Sequence, residues 1–285
     1  MAGPATAGPS AADPSADPGD SAPLVVRDLV AGYGRVTILH GISIRMPLGR
    51  NVGLFGPNGH GKTTLLRCVS GLLPARSGSV RFLGRDITNL KPRQIVGLGL
   101  VHVAQGNQIF PDLTIEEALR LGAYPSRARA AEARNRERVY EIFPRLRERR
   151  RQQIRTLSGG ERQMASIGVG LMGDPKLLIL DEPTLGLAPK LKEELGAAIR
   201  IISDAGMPLI VVEQDVEFLM ELAEQLYMID HGEVTAQIRP GEQIDHEEIM
   251  AMYFGTAAPA AGTPDLPPGG STAGSEGRDT GGRRP

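Results

Sequence analysis

Residues 53–73 read GLFGPNGHGKTTLLRCVSGLL: an apolar stretch passes through four glycines into Lys-Thr-Thr and then into apolar residues at helical spacing. Glycines also mark ordinary tight turns, so the spacing carries the reading. Gly56-Pro57-Asn58-Gly59-His60-Gly61-Lys62-Thr63 fits G-x-x-x-x-G-K-[ST] and stands between an expected strand and an expected helix. Phosphate oxygens need several donors at short range, and glycine permits both the backbone turns and the close approach that aim N–H groups inward. The positive end of the helix beginning near Lys62 adds to this cradle. Gly56 to Thr64 is therefore a candidate nucleoside triphosphate site, with Lys62 between the outer phosphates and the Thr63 hydroxyl as a ligand of Mg²⁺.

Two further stretches fit that chemistry. LLILDEP ends an expected strand in Asp181 and Glu182. Adjacent acids at a strand end are often only solvated. Beside a phosphate loop, however, Asp181 is placed to hold Mg²⁺ through water and Glu182 to polarise a water in line with the terminal phosphate. Gln105, directly after the run LVHVA, is a third group able to reach metal or water, although a loop amide there could equally cap backbone. LSGGERQ, Leu157 to Gln163, reads as an open helix N-terminus at Ser158, Gly159 and Gly160, with Glu161 in its first turn, and so as a second anion site. One chain then has two phosphate-binding helix ends and one set of catalytic residues. The simplest resolution is a two-fold dimer in which the Ser-Gly helix of each subunit closes over the nucleotide of the other.

The rest of the chain sets the frame. Its 285 residues are 41% hydrophobic, enough for a full core, and its net charge of -1 excludes a surface given over wholly to nucleic acid or acidic lipid. The one cysteine, Cys68, lies at helical spacing among Leu65, Leu66, Val69 and Leu72, as a small buried hydrophobe in a reducing compartment. Apolar runs fall short of the roughly 18 residues of a membrane span, and the start lacks a signal-peptide pattern, so a cytoplasmic location is expected. Residues 1–22 and 257–285 are rich in Ala, Pro, Gly and Ser and read as disordered tails around one domain, residues 23–256.

Within that domain, LVVRDLVAGYG, TILHGISIRM and SVRFLG pattern as a small antiparallel sheet, and NVGLFG, KLLILDEP and MPLIVVEQ as buried parallel strands. Helices are expected over TIEEALRLGAY, where Thr114 and Glu117 form a capping box, over about 128–150 as one long helix, and over 160–172 and 189–205. The sum is an α/β fold: a P-loop NTPase core with a parallel sheet, an antiparallel β subdomain and a helical subdomain inserted over about 106–165.

In this order the motifs resemble the ATP-binding cassette family, the motor subunits of ABC transporters, over residues 24–254. The matching residues are Tyr33 in AGYG, the Walker A loop at Gly56 to Thr63, the Q-loop at Gln105, the signature at Leu157 to Glu161, and Walker B ending at Asp181 with Glu182. The resemblance implies ATP and Mg²⁺ as ligands, Tyr33 stacked on adenine, and hydrolysis by a head-to-tail dimer with two composite sites. It also implies force passed to membrane permease subunits through the groove after Gln105.

Two positions depart from the general family pattern: Ala188 stands where an aspartate follows Walker B, and Gln214 where a histidine follows the last core strand. Taken alone they would fit a degenerate site with weak turnover. With QGNQIFPDLTIEEAL, they resemble the subfamily serving branched-chain amino acid importers and their urea- and amide-type relatives. A Gln214 amide can still donate to the terminal phosphate. Ala104 replaces a proline common before the Q-loop glutamine. The implied protein is the ATP-hydrolysing subunit of such an importer, a homodimer or a heterodimer with a paralogue, peripheral on the inner face of the membrane and served indirectly by a solute-binding protein.

A competing class deserves weight because Arg127 to Arg155 holds eleven arginines against four acids. A basic helix would suit phosphate contacts, making the alternative a cassette ATPase with a nucleic-acid or regulatory role. Such relatives carry a long coiled-coil insertion or two cassettes in one chain, and aromatics able to stack on bases are only 4% of this one. The run reads instead as a solvated helix face, with some residues near the signature helix and the membrane partner. A P-loop metabolic kinase or GTPase would need no LSGGE. His60 occupies a position that is small in most of the family. Its ring is expected to point outward into solvent or, in a closed dimer, to meet the loop Leu185 to Ala188 of the partner subunit.

Overall fold

A computed structural model describes residues 22–106 and 109–239. The expected tails apart from Ala22, which is buried, and the end of the domain past residue 239 lie outside the described residues. Strands β1 (Leu24–Tyr33) and β2 (Val36–Met46) form a hairpin, and β3 (Val52–Phe55) leads through the glycine loop into α1 (Lys62–Val69). There follow β4 (Ala75–Phe82), β5 (Arg85–Asp86), α2 (Pro92–Leu98) and β6 (Leu100–Val103). A run of helices comes next, α3 (Ile115–Gly122), α4 (Ser126–Arg129), α5 (Glu132–Ile142), α6 (Pro144–Glu148) and α7 (Gly159–Met172). The chain then alternates through β7 (Leu177–Asp181), α8 (Pro189–Asp204), β8 (Leu209–Val212), α9 (Val216–Leu222), β9 (Gln225–Asp230) and β10 (Glu233–Ile238).

Two sheets result. The order β2-β1-β4-β5 is antiparallel throughout. The order β10-β9-β3-β8-β7-β6 is parallel except for β10, which returns antiparallel along β9. The unbroken apolar runs of β7 and β8 follow from burial on both faces. Successive side chains point to opposite sides, so one strand feeds two cores. Leu177, Ile179, Ile210 and Val212 join Leu54 and the α1 residues Leu65 and Leu66 in the core shared with the antiparallel sheet. Leu178, Leu180, Leu209 and Val211 face the helices through Met164, Ile167, Leu195 and Leu219. Each such side chain contributes roughly 1.5–3 kcal/mol on burial.

Two expectations need correction. The long helix over 128–150 is broken into α4, α5 and α6. Phe143 precedes Pro144, whose ring disfavours the helical region for the residue before it, and Phe143 takes φ -124 and ψ 76. Cys68 is buried, and burial raises its thiol pKa to about 11, but its expected neighbour Leu72 is exposed. Most of the arginine run is exposed, as a solvated face requires, and Arg127 is among the partly buried exceptions. Arg127 donates to the carbonyls of Val96 and Gly97 at 2.7 Å each, Gly173 at 2.7 Å and Asp174 at 3.1 Å. Those carbonyls close α2 and α7, so one guanidinium satisfies two helix C-termini. Arg145 pairs with Glu194 on α8 at 3.3 Å and Arg149 with Glu161 on α7 at 3.1 Å, tying the helical layer together. Among the described residues no helix is long and apolar enough to cross a membrane.

Candidate functional site

Each parallel strand delivers a loop to one edge of the sheet, its carboxyl end, where open α/β sheets bind ligands. The Walker A loop follows β3, Gln105 follows β6, Asp181 and Glu182 close β7, Glu213 and Gln214 follow β8, and Asp230 closes β9. Gly56 has φ 137, and a Cβ there would lie 2.0 Å from the Ile229 carbonyl oxygen, so the loop can turn beside β9 only with glycine. Helix α1 begins without a side-chain cap. Lys62 is buried at its start and donates from Nζ to the Gly56 carbonyl at 2.7 Å and the Pro57 carbonyl at 3.0 Å. Burial lowers the Lys62 pKa, against the opposing pull of Glu182 and Asp181.

The acidic side of the site is under electrostatic strain. Asp181 is 1% exposed, and burial followed by the neighbouring Glu182 pushes its pKa up to about 6. The Thr63 hydroxyl lies 3.4 Å from Asp181 Oδ1, while Oδ2 has no hydrogen-bond partner. His102 Nε2 lies 4.0 Å from that oxygen and is likewise unpartnered. Burial, then Arg67, lower the His102 pKa to about 4, so its ring is neutral at pH 7. A buried, unpartnered carboxylate oxygen beside a hydroxyl is a hard-oxygen donor set that fits Mg²⁺. Gln105 Nε2 donates to Glu182 Oε2 at 2.8 Å, so the Q-loop glutamine orients the acid itself.

Glu182 has φ 47, a left-handed conformation unusual for a side-chain-bearing residue. A residue the sequence reading missed supports it. Buried Glu213 accepts the Thr184 N–H at 2.7 Å, just past Glu182, and its own N–H donates to the Leu54 carbonyl at 3.2 Å. The signal lay in VVEQ, an acid straight after a fully buried strand. His102 was missed as well, because one histidine in an apolar strand gives no hint of its partner.

Two adjoining cavities collect most of the candidate residues. One of about 360 Å³ is lined by Asn58, Lys62, Thr64, Glu182 and Gln214 among others. The second, of about 420 Å³, joins Tyr33 to Thr63, Arg67, Gln105 and Asp181, and the Tyr33 hydroxyl accepts from Arg67 at 2.9 Å. Neither is lined by Ser158 to Glu161. That turn also differs from the expected open helix end. Ser158 Oγ accepts the Glu161 N–H at 3.3 Å, and Glu161 accepts the Ser158 N–H at 3.0 Å, a closed capping box. A Cβ on Gly159 would meet nothing within 4 Å, whereas one on Gly160 would press Leu191 at 2.9 Å. Gly159 therefore faces open space and Gly160 serves helix packing. His60 is not directed freely into solvent: its Nδ1 lies 2.5 Å from Asp230 Oδ1 of the same chain.

Comparison with known proteins agrees with this geometry. The ABC transporter family profile matches residues 39–185. The high-affinity branched-chain amino acid transport ATP-binding protein BraG of Pseudomonas aeruginosa is 35% identical over 223 residues, 78% of this chain and 95% of that protein. The probable branched-chain amino acid transport ATP-binding protein LivF of Archaeoglobus fulgidus is 33% identical over 80% of this chain and 96% of its own. A solved ATP-binding cassette of an ABC transporter superimposes with a TM-score of 0.73 at 26% identity, covering 82% of this chain and 98% of the other. The chain belongs to the ATP-binding subunits of ABC transporters, a family that binds nucleotide and couples ATP hydrolysis to transport.

Proposed function

We propose that this chain hydrolyses ATP, with Mg²⁺, to power an importer of branched-chain amino acids or a related small solute such as urea or an amide. The observation that carries the ATPase part is the convergence of Lys62, Thr63, Asp181, Glu182, Gln105 and Gln214 on one sheet edge. In this reading the backbone of Gly56 to Thr64 and the Lys62 ammonium hold the phosphates, and Tyr33 takes the adenine. Thr63, Asp181 and Gln105 would hold Mg²⁺, which would neutralise charge on the phosphate oxygens. Glu182, oriented by Gln105, accepts the proton of the attacking water, and Gln214 donates to the terminal phosphate. Hydrolysis follows as ATP and water give ADP and phosphate. Because the cavities lack the signature turn, Ser158, Gly159, Gly160 and Glu161 are assigned to the partner's nucleotide in a homodimer or a paralogue pair.

Membrane coupling is assigned to an apolar groove of about 420 Å³ beside Ala104, lined by Leu72, Val96, Phe110, Leu121 and Tyr124. Phe110 is 65% and Leu72 58% exposed, a cost accepted where a permease subunit covers them. The chain then sits on the cytoplasmic face of the membrane, with a solute-binding protein acting through the permease. The pairing of the arginine run within the chain counts against the nucleic-acid alternative. The direct test is uptake of labelled leucine and of urea by cells lacking the chain, complemented with wild type or Glu182→Gln. Recovery of leucine uptake by wild type only supports the reading, recovery of urea uptake instead moves the solute, and recovery of neither removes the importer assignment. For Gln214, the alanine variant should slow hydrolysis and the histidine variant retain it.

A further inference from the structure

The β9–β10 turn carries side chains that hydrolysis does not use. Asp230 pairs with Glu233, leaving His231 and Gly232 as a two-residue hairpin turn. Both are left-handed, with φ 46 and φ 78, an arrangement whose first position ordinarily takes Asn, Asp or Gly. The turn is fixed on two sides. A Cβ on Gly232 would lie 1.8 Å from the Ile38 carbonyl oxygen, and the Gly232 carbonyl accepts the His40 N–H at 2.8 Å, holding the turn against β2. The Gly232 N–H in turn donates to the His60 carbonyl at 3.0 Å, holding it against the phosphate loop.

Three donor atoms converge in this fixed frame. His60 Nδ1 lies 2.5 Å and His231 Nδ1 2.9 Å from the same oxygen, Asp230 Oδ1, and one ligand atom from each of the three residues lies within 4.8 Å of the others. The two rings are 4.4 Å apart. His60 Nδ1 also faces the His231 backbone N–H at 3.3 Å, although one nitrogen cannot donate to a carboxylate and accept from an amide at once. The side chains are reachable from solvent, at 26% exposed for His60, 31% for Asp230 and 82% for His231.

We propose that His60, Asp230 and His231 form a divalent transition-metal site of the zinc class that fastens the phosphate loop to the β9–β10 turn. Two imidazoles and one carboxylate suit Zn²⁺ and disfavour Mg²⁺, which prefers all-oxygen octahedra. Tetrahedral Zn²⁺ with bonds near 2.0–2.2 Å sets its donors roughly 3.3 Å apart, so small side-chain rotations open the present cluster to that spacing. Three protein ligands leave one position for water. The site is separate from Thr63 and Asp181, and a cation here acts on the loop through His60.

The test titrates the full chain with Zn²⁺ alone, without nucleotide, by calorimetry, with Co²⁺ absorption reporting tetrahedral ligation. The expected result is one ion per chain at a Kd of about 10 μM or tighter. His231→Ala and Asp230→Asn, each checked for wild-type circular dichroism, should weaken it tenfold or more, and millimolar Mg²⁺ should not displace it. Zn²⁺ should also slow hydrogen exchange in the peptide spanning residues 55–64 of the wild type and leave it unchanged in His231→Ala, whose metal-free ATPase rate stays at the wild-type level. Undiminished Zn²⁺ binding by both variants, or none below 1 mM in the wild type, overturns the site. Binding without slowed exchange in the loop overturns the fastening.

Discussion

The N-termini of α1 and α7 are both glycine-rich and both read as phosphate-binding in sequence, yet they are built differently. Helix α1 starts from Gly61 with no side-chain cap and with a buried lysine whose charge burial opposes and two acids support. Helix α7 starts from Ser158 with its own closed box, and Arg149 stands 3.1 Å from Glu161 to balance the acid. Burial alone would raise the Glu161 pKa, but its bonds with Ser158 and the nearby arginines hold it below the usual carboxylate range. The α7 end is complete within the chain, whereas the α1 end has donors and charges arranged for something else. One is a site that a ligand finishes; the other is a preformed surface that can be brought to a ligand held elsewhere.

The difference breaks most sharply at Glu182. Glu182→Gln should lower steady-state turnover by about 10²-fold or more if the group is the general base, with nucleotide binding retained. Unchanged turnover would move the chemistry off the α1 side. Asp181 tests the strain at that end. Its pKa is raised above 3.8 to about 6, so the folded chain holds the proton more tightly than the unfolded one. This group therefore makes folding less favourable as pH rises from about 4 through about 6, by about 3 kcal/mol at 1.36 kcal/mol per unit. Without metal or nucleotide, Asp181→Asn should be more stable than wild type at pH 8, with the gap closing towards pH 4; chemical denaturation across that range measures it, and a constant gap would contradict the assigned strain.

At the α7 end the expected effects are on assembly and are smaller for the single chain. Gly159→Asp adds a side chain where nothing lies within 4 Å, so the fold and monomer nucleotide binding should persist while ATP-driven dimerisation is lost. Light scattering with ATP and the Glu182→Gln background reads this directly, and loss of binding by the monomer would end the shared-site reading. The smallest effect is Ser158→Ala, which opens the box and should cost about 1 kcal/mol of stability with monomer nucleotide binding unaltered. A null change in denaturation midpoint would mean that Arg149 alone holds the helix end.

Much of this architecture is written locally. The capping boxes at Thr114 and Ser158 need residues only three apart, and both were legible, although reading Ser158 as an open end overlooked the box that Glu161 completes. The unbroken apolar runs of β7 and β8 marked strands buried on both faces, and the spacing from Gly56 to Thr63 marked the phosphate loop. The expected long helix is interrupted at Pro144, and the carbonyls that Arg127 satisfies lie on elements too far along the chain for a local pattern to show.

The sequence by itself determined the cassette: the ordered motifs, the strand and helix types, and which residues end the parallel strands, because those signals depend on neighbours a few positions apart. Only the tertiary structure decided which of those residues meet. Gln105 and Glu182 are 77 positions apart, and His60 and Asp230 170 apart, and each pair touches because parallel strands bring distant loops to one edge. A side chain's partner there is set by strand order, which crossover connections fix across the whole sheet, and no local pattern carries that order.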